Sequence, residues 1–134
     1  MHADDVRSIE KLKLRLFMIG CRLHKRRFRK KTDFCDAGDC RIFKIKTLRK
    51  FDGHALTFDL IVKHPFEGHF YWEVGKVQKR VPRGFYDTFD TIDYQGRTYS
   101  TPKNTDDYLV ERYGDWLITR KEYDYKTDDN AILR

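Results

Sequence analysis

Cysteine and proline are both scarce in this 134-residue chain, three of each. An odd, small number of cysteines excludes a disulfide framework as the basis of the fold and fits reduced thiols. Cys35 and Cys40 lie close in sequence, but Cys21 and His24 would complete a four-ligand zinc site only by long reach, so plain thiols are expected. No apolar run approaches the ~18 residues of a membrane span. The start Met1-His2-Ala3-Asp4-Asp5 is acidic and has no signal-peptide pattern, so a cytoplasmic protein is expected. A Gly-rich phosphate loop, a serine nucleophile elbow, an internal repeat and a low-complexity linker are all missing.

What is present describes one basic domain. The length suits a single domain, expected over 1–134. Aromatic residues make up 15%, enough to argue for a packed core rather than disorder. The formal net charge is +7, and the stretch from Arg22 to Lys31 alone holds seven Lys/Arg and no acid. Within it, Arg22, Lys25, Arg26 and Arg27 are the candidate anion-binding residues. Such a cluster attracts nucleic acid, anionic headgroups or a phosphate-rich substrate by its field. A solvated loop or a guarded edge strand is the plainer reading, and the charge run alone favours it.

Periodicity gives the elements. Val6, Ile9, Leu12, Leu16 and Ile19 recur at steps of three and four, which predicts one amphipathic helix from about Asp5 to Ile19. Leu56, Phe58, Leu60 and Val62 alternate with Thr57, Asp59 and Ile61, which predicts a strand. Asp52-Gly53, Gly75-Lys76 and Gln95-Gly96 predict hairpin turns. Asn104 or Thr105 starts a second helix, with Asp106 and Asp107 in its first turn and Gly114 at its end. The class is α+β, with helices flanking one antiparallel or mixed sheet. Tyr113 and Trp116 are expected in the core.

Two clusters invite a chemical reading. Asp59 is an acid on a strand otherwise built for burial, which costs desolvation unless something compensates. A wet sheet face answers this, and the alternation favours it; a carboxylate holding Mg²⁺ against substrate phosphates is the sharper alternative. His64 and His69 bracket Pro65-Phe66-Glu67-Gly68, which no zinc-protease helix tolerates, so incidental loop histidines are expected.

The run from Val81 to Pro102 (VPRGFYDTFDTIDYQGRTYSTP) and its continuation to Trp116 (KNTDDYLVERYGDW) resemble the LicD family. The shared order is a hairpin, a proline, an Asn-capped helix with Tyr-Leu, then Tyr-Gly and Trp. The end, Asp128-Asp129-Asn130-Ala131-Ile132, is similar to fukutin-like members, and from Asp5 to Arg80 order and lengths agree better than residues. The resemblance implies a nucleotidyltransferase-like fold and a Mg²⁺-dependent transferase moving phosphocholine or a similar phospho-alcohol from a nucleotide-diphosphate donor to a cell-surface glycan. Asp59 is placed like the family's later metal-binding, catalytic acid. The Gly-rich segment and paired acids of the family are not found, so the chain reads as a partial LicD-like domain lacking the N-terminal part of that fold, truncated or inactive. The other readings are a nucleic-acid-binding module using Arg22–Lys31, with Phe28 for stacking, and a non-catalytic binding domain on the same fold.

Overall fold

The computed structural model describes residues 1–133. The fold is α+β, built on short antiparallel ladders in three sheets rather than the single sheet expected. The first sheet has the order β1 (Cys21–Arg27), β2 (Cys40–Phe51), β3 (His54–Ile61). The second joins β4 (His64–Phe66), β5 (His69–Val74) and β6 (Val77–Pro82), and the third is the ribbon of β7 (Phe89–Tyr94) and β8 (Arg97–Pro102). Helices α1 (Val6–Lys11) and α2 (Lys13–Met18) precede the strands, and α3 (Thr105–Tyr113) follows them. The chain divides into two compact units, 1–64 and 65–134.

In the first unit the predicted N-terminal helix is broken at Leu12, whose N–H bonds back only three residues, to the Ile9 carbonyl. The break turns the expected apolar stripe. Val6 and Ile9 pack against Phe43, Val62 and Cys40, while Leu12 and Ile19 are exposed. Phe43 and Val62 are fully buried, and each such side chain contributes about 1.5–3 kcal/mol. The unit closes on itself: Lys63 N–H donates to the Met1 carbonyl and Ala3 N–H to the Lys63 carbonyl, at 2.8 and 3.1 Å.

The second unit is a run of sequence-local pairings. Four two-residue turns, Asp52-Gly53 in the first unit and Glu67-Gly68, Gly75-Lys76 and Gln95-Gly96 here, have positive φ at both central residues. That geometry matches the twist of the flanking strands. The core of this unit holds Phe70, Trp72 and Val81 with Ala131, and Phe70 meets Tyr86 edge to face at 5.5 Å. Helix α3 occupies the predicted residues and half-buries Tyr108, Leu109 and Tyr113. Trp116 departs from expectation: it is 38% exposed, two residues past the Gly114 that ends α3.

Candidate anion-binding face

Alternation along β1 sends Arg22, His24 and Arg26 to one face of the first sheet and Cys21, Leu23 and Lys25 to the other. Cross-strand register extends both faces. Arg22 lies opposite Lys46 and His24 opposite Lys44; Lys44 in turn lies opposite Asp59, and Lys46 opposite Thr57. Leu23, Phe43 and Leu60 take the face that α1 covers. The other face is therefore cationic, and Arg22, His24, Arg26 and Lys46 are all exposed on it. Same-face positions along a strand stand ~7 Å apart, and neighbouring strands ~4.8 Å, so the cations form a grid at those spacings.

Asp59 is on this face, as its alternation requires, and is the one carboxylate there. Its Oδ2 accepts from Lys44 Nζ at 2.8 Å, with both side chains about one-third exposed. Among the described residues no carboxylate pairs with Arg22, Arg26 or Lys46. Asp59 is engaged by Lys44, and among the described residues no three His, Cys, Asp or Glu side chains gather to hold a metal ion.

The fold separates the four basic residues singled out in the sequence. Arg22 and Arg26 share the exposed face. Lys25 points to the helix side, where it donates to Glu10 Oε1 at 2.7 Å and stands 5.9 Å over the Phe43 ring. The hydrogen bond from Lys25 holds the Glu10 carboxyl below the usual carboxylate range. Arg27 follows a bulge and donates from Nη1 to the Gly38 carbonyl at 2.7 Å. Phe28 cannot stack on a base: it is 4% exposed, packed edge-on against Phe34 and His64. Lys44 and Lys46, outside the charge run, belong to the face instead.

His64 and His69 each meet a backbone carbonyl. His64 is buried with Nε2 2.9 Å from the Cys40 carbonyl, and His69 Nδ1 lies 2.9 Å from the Glu67 carbonyl. Burial pushes the Cys40 thiol up, away from the thiolate a nucleophile needs. All three cysteines are free.

The second unit holds an ionic cluster the sequence reading missed. Asp129, 1% exposed, accepts from Lys79 Nζ at 2.7 Å, from Arg112 through both Nε and Nη2, and from Ala131 N–H. Lys79 Nζ also donates to the Tyr125 carbonyl. The Arg112 guanidinium stacks 5.2 Å from Trp72 and 5.0 Å from Tyr113. The Asp129 carboxylate accepts four hydrogen bonds, two at each oxygen, which makes this a structural latch. Its signal was present: Lys79 shares a strand face with Val77 and Val81, and a lysine at a buried position demands an acid. Comparison with family models, curated proteins and solved structures finds no match to this chain.

Proposed function

We propose that this chain is a non-catalytic binding domain that holds a nucleic-acid strand by its phosphates on the exposed face of the β1–β2–β3 sheet. The observation that supports it is the alignment of Arg22, Arg26 and Lys46 on one wet face whose single acid, Asp59, is bound by Lys44. Three free cations spaced by strand geometry suit successive phosphates, and Lys44 keeps Asp59 from repelling them. The register gives the face Arg22, His24, Arg26, Lys44, Lys46, Thr57 and Asp59, with Ile42 and Ile61 beside Arg26, and no ring for bases to stack on beyond His24, so binding is independent of sequence.

The test is anisotropy of a fluorescein-labelled single-stranded 20-mer against salt concentration. Three phosphate contacts at about −0.7 each give a log–log slope of roughly −2. The double variant Arg22→Gln/Lys46→Gln is expected to flatten the slope to about −0.7 and to weaken binding more than tenfold at low salt. Equal binding by wild type and variant, or binding indifferent to salt, overturns the proposal.

The resemblance of Val81 to Trp116 to the LicD family supports a second reading, a phosphotransferase on a nucleotidyltransferase-like fold. Its measurement is CMP release from CDP-choline with Mg²⁺, alongside Asp59→Ala. One carboxylate cannot hold the cations that neutralise transferring phosphate, so no turnover is expected. Turnover abolished by Asp59→Ala would establish that reading against the binding one.

A further inference from the structure

The two edges of the first sheet are treated unlike. The β1 edge carries Arg22, Lys25, Arg26 and Arg27 and ends in a bulge, the usual guards against strand addition. The β3 edge differs: the irregularity in its ladder falls between Lys46 and Lys50 of β2, so β3 itself carries no extra residue. Its eight residues, His54-Ala55-Leu56-Thr57-Phe58-Asp59-Leu60-Ile61, include no lysine, arginine or proline. Leu56 and Phe58 are 59% and 62% exposed.

The hydrogen bonds show which backbone groups are open. Val62 N–H donates to the Arg41 carbonyl and Leu56 N–H to Thr47 Oγ1, so the even-numbered residues address β2. The Met1 ammonium reaches the Ile61 carbonyl from the other side, at 3.4 Å. By parity, Ala55, Thr57 and Asp59 turn their N–H and C=O groups outward.

We propose that β3 is a self-association edge, pairing antiparallel with β3 of a second copy about a two-fold axis at Phe58. This register puts Phe58 against the partner's Phe58 and Leu56 against the partner's Leu60, covering the exposed apolar side chains. It sets Thr57 opposite the partner's Asp59 as a hydrogen-bonded pair. A shift of one outward pair in one direction would face Asp59 with the partner's Asp59, and like charges directly opposite are unfavourable. The centred register avoids that repulsion and matches an alternating apolar–polar strand to its own reverse. Six strands then form one sheet, β1-β2-β3-β3-β2-β1, with an isologous interface. The area of one strand pair is below that of a standard interface, so association is weak and concentration-dependent. It does not rest on the nucleic-acid reading, and its salt dependence has the opposite sign: the cationic units repel, so salt strengthens it.

Sedimentation velocity of the intact chain between 5 and 500 μM, at about 0.1 and 0.5 M salt, tests this. A dimer growing with concentration and favoured at high salt is expected. Thr57→Pro removes an outward donor while sparing the β2 ladder, and is expected to weaken association at least tenfold. Phe58→Lys faces two ammonium groups across the axis and changes an exposed side chain, so it serves where the proline perturbs the fold. Phe58→Cys is expected to cross-link at least tenfold faster than Leu56→Cys, because only residue 58 meets its own copy. A monomer at every concentration, dimerisation unaffected by Phe58→Lys, or equal cross-linking of the two cysteine variants overturns the proposal.

Discussion

Asp129 shows how much one buried side chain carries. Burial opposes its charge, but the hydrogen bonds from Arg112 and Lys79 outweigh that and hold its carboxyl below the usual range. Removing the charge leaves two cations facing each other beside Trp72 and Tyr113. Asp129→Asn is therefore expected to cost about 3–5 kcal/mol, read as a lower urea midpoint. The pH dependence has a definite sign. A carboxylate with a depressed folded pKa contributes stability that is complete above the unfolded value near 4 and is lost as pH falls through the folded one. Urea titrations from pH 6 down to pH 3 should show the gap between wild type and Asp129→Asn narrowing below about pH 4. A gap that stays constant would mean Asp129 is not ionised in the fold.

At the level of elements, the β5–β6 turn is built in reverse order to the others. Asp52-Gly53, Glu67-Gly68 and Gln95-Gly96 end on glycine, whereas Gly75 comes first and Lys76 takes the left-handed conformation at φ 69°. A Cβ on Gly75 would lie 2.8 Å from the Tyr125 hydroxyl, in a backbone region that already costs a side chain about 1–2 kcal/mol. Gly75→Ala is expected to destabilise by at least ~1 kcal/mol, while Lys76→Gly is expected to be neutral or stabilising. Thermal melts of the pair check this, and a stabilising Gly75→Ala would refute the turn geometry. Three of the four turns were legible in the sequence because their dipeptides leave few other conformations. Glu67-Gly68 was not, since the flanking histidines suggested a loop. Helix α3 was legible from its first-turn acids and closing glycine, although Asn104 precedes it in the left-handed region without a side-chain cap bond. The break at Leu12 was not, because apolar spacing reports a face and says nothing of an interrupted hydrogen-bond ladder. Nor does alternation count sheets: it marks strands but leaves open which hairpins join.

Across the whole molecule, charge is distributed unevenly. Residues 1–64 hold 17 Lys/Arg against 8 Asp/Glu, and residues 65–134 hold 11 against 13. If placement rather than total charge governs binding, equal losses at different places have unequal effects. Arg120→Gln/Lys121→Gln removes as much charge as Arg22→Gln/Lys46→Gln from an exposed stretch of the second unit. It is expected to change 20-mer affinity less than twofold, against more than tenfold for the latter. Similar losses from both would reduce the effect to net charge. The candidate face was half legible for the same reason. A run of basic residues in sequence shows a surplus, but strand parity divides it, sending Lys25 to Glu10, and only cross-strand register recruits Lys44 and Lys46.

The bonding of residues 1–3 to Lys63 also has a topological meaning. A segment whose first and last residues are neighbours enters and leaves its fold at one place. Such a segment can be spliced into a surface loop of another protein as a cassette, or joined end to end and reopened elsewhere. Asp52-Gly53 is the natural opening, since it is exposed and a side chain at Gly53 would meet open space. A chain cut there and joined from 64 to 1 would keep the β1–β2 ladder continuous and carry β3 as its leading strand.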